Sequence, residues 1–364
     1  MKRFLLFFLS CSYVVLAMGQ GQNPLRAFYN ADSSRIGYKD MHGKIVIPAT
    51  INANFGMPEK FTDLVSVIDM DSEASDSYFM NAQGRKFGRD SLHFFDNTPD
   101  CEQEGFIRFH DRNTDLVGFF NAAGSEQVPA MYSAVTPMHN GMFVALKGAK
   151  KQYDGDDKEH YSWSGGKQML VSANNEVLIN DFPYLGEVNY YAMDISEAPH
   201  VGPEWVSLKG ENGKYYNFIH YEKEFKHLLN DLLQQGINKQ TMASHCADSI
   251  VSWNEDKQEW IFTASSQFLD QHMTKLENLF QKIRDGQSLS TQTMISQGGF
   301  NNFIFDSPAY HQYLDNCGQT NDFRYPTMIV YFGPEEGGDP QQQSAEFLRT
   351  AQGYKLHMVT FSKK

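Results

Sequence analysis

The chain has 364 residues, and 31 Lys and Arg side chains against 44 Asp and Glu give it a formal net charge of −13. This acidic balance argues against nucleic acid and anionic lipid surfaces as partners, because both repel negative charge. The length exceeds the usual size of one hydrophobic core, so we expect two domains after any leader segment.

Residues 1–19 have the pattern of a secretory signal peptide. Lys2 and Arg3 precede an apolar stretch, and small residues next to Gly19 suit cleavage after that glycine. Cys11 offers an alternative, a lipid anchor, because the residues before it resemble a lipobox. Later apolar runs are too short to span a membrane. We therefore expect an exported protein without a membrane span, in the periplasm, in the cell envelope or secreted.

A short turn signature recurs in the first half of the chain. It reads Asp-Met-His-Gly ending at Gly43, Asn-Ala-Gln-Gly ending at Gly84, and Asn-Ala-Ala-Gly ending at Gly124. The three glycines are 41 and 40 residues apart. A constant period of this size indicates a repeat architecture, in which small units stack to bury their apolar faces.

Each signature lies between two short runs of β-prone residues, which predicts a hairpin whose glycine takes a positive φ. Pro48 ends the second strand of the first unit, and the second unit lacks this proline. A fainter fourth unit places Asn175 where the glycine is expected, and a last hairpin turns near Gly213. We therefore predict a β-repeat region over residues 24–214.

This pattern resembles the bacterial WG-repeat (KWG-type) family, whose units carry Gly-aromatic-x-[Asp/Asn]-x-x-Gly-Lys-x-Val-Ile-Pro. Residues 36–50 match best and residues 117–132 next, although Ile36 and Val117 replace the aromatic residue that precedes the first glycine. The resemblance implies an array of short antiparallel hairpins that serves as an interaction surface and carries no catalytic residue. A propeller-like ring and an open stack both fit the period.

The spacing of apolar residues changes to a helical period after residue 214. It predicts a helix over residues 218–233 that ends at Gly236, a second over 239–248, and a third over about 266–285. Strand-like runs lie between and after these helices, and the chain closes with a hairpin that turns at Gly353. We predict an α+β domain with an antiparallel sheet over residues 215–364. Its closing hairpin resembles the last hairpin of NTF2-like and cystatin-like domains.

Three cysteines follow the predicted leader, and an odd number allows one disulfide at most. Cys246 and Cys317 form the favoured pair because they lie in the same half of the chain, whereas Cys101 lies in the other half. The alternative is that all three are buried thiols. His245 and Cys246, adjacent on the predicted second helix, point in different directions and do not form a catalytic pair.

The sequence lacks the other patterns that carry chemistry. The acidic loop around residues 69–76 has Ala74 and Met80 where a calcium loop needs its glycine and its late glutamate, and the loop at 154–157 has Gly155 at the wrong position. Zinc-ligand spacing, phosphate-binding loops and nucleophile elbows are absent from the sequence. We therefore predict no catalytic residue, no metal and no cofactor.

These features favour a non-enzymatic, exported binding or scaffold protein that presents its β-repeat surface to an envelope protein or a glycan. Two alternatives remain open. One is a carbohydrate- or peptide-processing hydrolase that uses paired carboxylates in a cleft. The other is a small ligand held in a pocket of the C-terminal domain.

Overall fold

A computed structural model describes residues 23–53, 57–71, 74–95, 97–153, 155, 160–254, 256–284, 293–332 and 343–361. The predicted leader, its cleavage site and Cys11 lie outside these residues, as does most of the acidic loop at 154–157. Within the described residues, no helix combines the length and the apolar character that crossing a membrane requires.

The chain up to residue 220 consists of short strands. In chain order they are β1 (Leu25–Tyr29), β2 (Arg35–Lys39), β3 (Ile45–Asn52), β4 (Lys60–Phe61), β5 (Leu64–Asp71), β6 (Ala74–Asn81), β7 (Lys86–Phe87), β8 (Phe94–Phe95), β9 (Thr98–Pro99), β10 (Phe106–Asp111), β11 (Leu116–Asn121), β12 (Glu126–Tyr132), β13 (Ala134–Val135), β14 (Met142–Lys147), β15 (Lys150–Tyr153), β16 (Tyr161–Ser164), β17 (Lys167–Ser172), β18 (Val177–Asn180), β19 (Val188–Ser196), β20 (Trp205–Lys209) and β21 (Tyr215–His220).

These strands form small antiparallel sheets that follow one another along the chain. We number them sheet 1 (β3-β2-β1-β4), sheet 2 (β5-β6-β7), sheet 3 (β10-β11-β12), sheet 4 (β13-β14-β17-β18) and sheet 5 (β19-β21-β20). The pairs β8–β9 and β15–β16 form two separate hairpins. The mainly β character predicted for this region is confirmed.

The recurring turn has one hydrogen-bond pattern. In the third unit, Asn121 Oδ1 accepts the backbone N–H groups of Ala123 and Ser125, each at 3.1 Å. The N–H of Gly124 closes the turn on the Asn121 carbonyl at 2.7 Å. Gly43, Gly84 and Gly124 have φ values of 81°, 78° and 71°. The side chain that opens the turn and the glycine that ends it thus act together within five residues.

A second glycine shapes the first and third units. A Cβ atom on Gly118 would lie 2.4 Å from the carbonyl oxygen of Val128, and one on Gly37 would lie 2.5 Å from that of Ile47. The register between the paired strands shifts at both places. The strand that contains Pro129 therefore bulges toward a position that only glycine can occupy.

Neighbouring sheets share their cores. On β14, Phe143 and Ala145 pack in a cluster with side chains of sheet 3, whereas Met142 and Val144 pack in a cluster with sheet 5. Similar clusters join sheet 1 to sheet 2 and sheet 2 to sheet 3. Among the described residues, no buried cluster joins sheet 5 back to sheet 1. The repeat region is therefore an open stack of sheets.

The remaining elements mix helices and strands. They are α1 (Tyr221–Gln235), α2 (Lys239–Ala243), β22 (Cys246–Asn254), β23 (Glu259–Ala264), α3 (Ser265–Arg284), β24 (Thr293–Gly298), a 3₁₀ turn (Pro308–Tyr313), β25 (Thr327–Phe332), β26 (Gln343–Thr350) and β27 (Gly353–Thr360). The strands form sheet 6 in the order β23-β22-β27-β26-β25-β24. Its pairings are antiparallel except for β22 with β27, which is parallel.

The two faces of sheet 6 are covered differently. The helices fill one face with a core that includes Phe225, Phe268 and Phe347. The segment between β24 and β25 covers part of the other face, where Phe300 and Phe305 are buried. The predicted α+β architecture and the closing hairpin are confirmed.

The prediction for the second helix was wrong at its C-terminal end. The helix stops at Ala243, and Cys246 begins β22 instead of continuing the helix to residue 248. The backbone of Cys246 lies opposite Leu356 in the parallel pair, and Ser249 pairs with β23 further along. Pairing on both sides outweighs the helical preference of this short segment.

Candidate functional site

A cleft of about 650 Å³ opens beside sheets 3 and 4. The segment before β10, both sheets and the β15–β16 hairpin contribute to its wall. The side chains that define it are Leu92, Phe94, Phe95, Arg108, His110, Asp115, Val117, Val135, Val144, Lys151, Tyr161 and Trp163. Its volume falls in the range of sites for small ligands.

The β15–β16 hairpin presents an aromatic face to this cleft. Lys151 pairs with Trp163 and Tyr153 pairs with Tyr161, so these four side chains share one face. The ring centroids of Tyr161 and Trp163 are 5.3 Å apart, and the Lys151 ammonium lies 4.7 Å from the Tyr161 ring centre. The opposite face is polar and carries Lys150, Gln152, Ser162 and Ser164. The alternation therefore directs the rings of one face toward the cleft.

One ionic cluster attaches the hairpin to sheet 3. Asp115 Oδ1 lies 2.7 Å from the Lys151 ammonium and 2.8 Å from His110 Nε2. The hydrogen bond from Lys151 is the largest cause that lowers the pKa of Asp115. Burial is the largest single influence on Lys151 and would lower its pKa. The hydrogen bond and charge of Asp115, together with Tyr161 and Tyr153, outweigh burial, so the pKa is raised. Both groups are therefore charged near neutral pH and leave a polar patch beside the aromatic rings.

Phe94 and Phe95 form a second aromatic edge of the cleft. Their side chains are 45% and 75% exposed, although burial is the usual state of phenylalanine. Exposed rings grouped at a concave surface are typical of a binding site.

The cysteines pair differently from the prediction. Cys101 and Cys317 form the disulfide, across a sequence separation of 216 residues, and Cys246 is a buried free thiol. The predicted Cys246–Cys317 pair was wrong because nearness in sequence did not reflect nearness in space. Cys246 packs in the helix-covered core, whereas Cys317 lies in the segment that reaches the loop before β10. Burial also raises the pKa of Cys246 to about 12, which keeps the thiol protonated.

The turn that carries Cys317 repeats the signature of the β-repeat region. Asp315 Oδ1 accepts the N–H groups of Cys317 at 2.8 Å and Gln319 at 2.9 Å, and Gly318 has φ 79°. This turn was not predicted, although Asp-Asn-Cys-Gly has the same spacing as the earlier signatures.

A second cavity, of about 490 Å³, lies beside the disulfide and contains two buried carboxylates. Asp100 forms an ion pair with Arg108. Glu102 accepts the Gly105 N–H at 2.6 Å and the side-chain amide of Asn316 at 2.7 Å. Burial nevertheless raises the pKa of Glu102 to about 7. Both carboxylates thus have donors within the chain, and Glu102 titrates near neutral pH.

The described residues also place Cys101, Asp315 and Cys317 close enough to suggest metal ligands. The two sulfur atoms are bonded to each other, so neither is available as a thiolate ligand. This cluster is a covalent link between two loops.

No protein-family model matches the sequence, and no curated protein matches it.

Proposed function

We propose that the protein is a non-enzymatic, exported binding protein of the cell envelope that holds a glycan in the cleft of sheets 3 and 4. The observation that carries this proposal is the aromatic face of the β15–β16 hairpin, which lines the cleft with Tyr161 and Trp163 beside the Lys151–Asp115 pair. A sugar ring combines an apolar C–H face with hydroxyl groups. Aromatic rings next to hydrogen-bonding groups complement both features.

The dimensions of the cleft favour a glycan over a folded protein partner. Stable protein interfaces bury about 800 Å² on each partner, usually on broad surfaces. A concave site of about 650 Å³ suits a few sugar residues better. The Cys101–Cys317 disulfide supports export, because disulfides persist mainly in oxidising compartments.

Oligosaccharide binding to the full chain tests this proposal. We would screen neutral and acidic oligosaccharides on an array and then measure affinity by calorimetry. Trp163→Ala and Tyr161→Ala should each weaken binding by about fivefold, because each removes one stacking surface worth about 1 kcal/mol.

Two variants serve as controls for this experiment. Ser162→Ala changes the polar face of the same hairpin, and Tyr29→Ala removes an exposed ring from sheet 1. Both should bind like the wild type. Equal affinity for all four variants, or absence of any oligosaccharide ligand, would refute the proposal.

The hydrolase alternative is favoured by one observation, the buried Glu102 with a pKa of about 7. A general acid works best when its pKa lies near the operating pH. The test is to incubate the protein with any oligosaccharide that binds and to measure new reducing ends. Release by the wild type and loss of release in Glu102→Gln would establish a hydrolase. Unchanged oligosaccharide would leave binding as the function.

A further inference from the structure

A third cavity, of about 760 Å³, lies on the face of sheet 6 that is turned away from the helices. His357 and Leu348 contribute to its floor. Tyr310, Tyr313 and Tyr325, from the segment between β24 and β25, contribute to its wall. The helix-covered face is filled by side chains, so a ligand site of the C-terminal domain belongs on this other face.

The strand pairing is irregular at His357, beside this cavity. Glu346 pairs with Met358 and Phe347 pairs with Leu356, which leaves His357 as an extra residue in β27. On the other side, β22 takes five residues to pass from Cys246 to Val251, where β27 takes only two to pass from Leu356 to Met358. Bulges of this kind turn a side chain out of the regular alternation and open the sheet locally.

His357 has unmet hydrogen-bonding capacity at this place. Its side chain is 1% exposed, and neither ring nitrogen has a hydrogen-bond partner within the described residues. Burial lowers the pKa of His357 to about 3, so the ring is neutral and offers one donor and one acceptor. A buried polar group left without a hydrogen-bond partner destabilises the fold. Because unpaired buried polar groups are rare in folded proteins, the position of His357 needs an explanation.

We propose that this cavity binds a small aromatic molecule, neutral or cationic, that hydrogen bonds to His357. The tyrosine rings of the wall provide aromatic contacts for a flat ligand. The charges at the cavity favour this class of ligand. Two acidic residues, Asp248 and Asp306, line the cavity, and they outnumber the one basic lining residue, Lys355. The Lys355 ammonium already donates to the carbonyl oxygen of Ser244 at 2.6 Å. An anionic ligand therefore meets an acidic surface.

Three probes of nearly equal shape test the proposal on the full chain. Benzamide is neutral, benzamidine is cationic and benzoate is anionic. Binding is measured by saturation-transfer NMR with titration. Benzamide and benzamidine should bind, and benzoate should bind at least tenfold more weakly. Absence of binding by all three, or equal binding by benzoate, would overturn the proposal without the use of any variant.

Substitution of His357 tests whether the probes bind in this cavity. His357→Phe keeps an aromatic ring and removes both nitrogens, so benzamide affinity should fall about tenfold. His227→Phe, on the exposed surface of α1, is the matched control and should leave affinity unchanged. Equal affinity in the wild type and in His357→Phe would place the probes elsewhere and refute the role of His357. Trp163→Ala should not change benzamide binding, because Trp163 belongs to the cleft of sheets 3 and 4.

A stability measurement without ligand gives an independent result. If His357 serves only the fold, His357→Phe should lower the melting temperature. We expect the melting temperature to rise, because the substitution removes two unpaired polar atoms and keeps the ring beside Phe305, whose centroid is 4.9 Å away. A fall would assign His357 to structure and contradict the proposal.

Discussion

Gly118 allows close packing of two strands because it has no side chain. Its φ is not in the left-handed region, so the backbone conformation itself would accept other residues. The restriction comes from Val128, whose carbonyl oxygen occupies the space that a Cβ atom would need. The bulge at Pro129 brings that carbonyl close, so the glycine and the proline of one unit belong together.

Gly118→Ala should lower the free energy of unfolding by about 1–3 kcal/mol, because the bulged strand must move away from the new methyl group. Urea denaturation measures the change. The control is Gly298→Ala in β24, where the nearest atom to a new Cβ is 4.0 Å away. That substitution should change stability by less than about 0.5 kcal/mol. Equal losses at the two sites would show that the close approach is not the cause.

Glu102 makes stability depend on pH. Burial is the largest cause of its raised pKa, and the negative charges of Asp63 and Glu104 add to it. The native state therefore holds a proton that the unfolded chain releases at lower pH. This favours the fold fully below the ordinary pKa of 4.5, and the contribution is lost as the pH rises through about 7.

Glu102→Gln should remove this pH dependence. From pH 4.5 to pH 8, the stability of the variant relative to the wild type should rise by about 3 kcal/mol, the equivalent of the change in pKa. Urea denaturation of both proteins at several pH values measures the difference. A difference that stays constant over this range would show that Glu102 does not titrate near pH 7.

At the scale of elements, one ion pair holds helix α1 to sheet 6. Arg349 in β26 donates two hydrogen bonds to Glu224, at 2.8 and 3.0 Å, and both side chains are mostly buried. The Arg349 guanidinium also lies 5.4 Å from the ring centre of Tyr221 at the start of the helix. A bidentate pair in this position fixes the helix against the strand below it.

Glu224→Gln should cost about 1.5–3 kcal/mol of stability, because it leaves the arginine charge largely buried with weaker acceptors. The matched control on the same helix is Glu222→Gln, whose partner Lys226 is one turn away on the exposed side. That change should cost about 0.3–0.5 kcal/mol. Thermal and urea unfolding of the two variants measure the contrast, and equal costs would contradict it.

The elements differ in how far the sequence determines them. Gly124 and Asn121 form their turn within five residues, so the pattern alone predicts the hairpin. Cys246 lies in a segment with helical periodicity, yet a strand forms there because β27 arrives from more than 100 residues later. Local signals thus predicted the turns and the longer helices, whereas long-range pairing decided the short segment between them.

The candidate sites are even harder to predict from the sequence than the elements, because each is formed by residues that are far apart in the chain. Phe95 and Trp163 are far apart in sequence and line the same cleft only because sheets 3 and 4 are neighbours in the stack. His357 lies among alternating residues of a strand, and the bulge that turns it toward a cavity leaves no local pattern. Sequence reasoning predicted a binding surface on the repeats but could not place its side chains.

At the scale of the whole molecule, the disulfide joins the repeat region to the segment that covers sheet 6. Cys101 and Cys317 are 216 residues apart in sequence. Beside the bond, Asn316 donates to Glu102 at 2.7 Å, so polar and covalent contacts coincide. The link restricts the unfolded chain strongly, because it closes a long loop.

Replacing both cysteines, Cys101→Ser with Cys317→Ser, should lower stability by about 2–5 kcal/mol. Reduction of the wild type with dithiothreitol should lower its melting temperature to a similar degree. The same reductant should have no effect on the double variant, which retains only the buried Cys246 thiol among the described residues. A wild type whose melting temperature is insensitive to reductant would contradict the expected role of the bond.

The same covalent link has a mechanical consequence. A force that pulls on the two ends of the oxidised chain bypasses the loop between the cysteines, which are 216 residues apart in sequence. Fully stretched, that length of chain would add about 700–780 Å to the distance between the ends. Sheets 3, 4 and 5 lie inside this loop and carry no load, whereas sheets 1 and 2 lie in the line of force. Reduction should therefore lengthen the molecule under tension and expose the middle of the stack to unfolding.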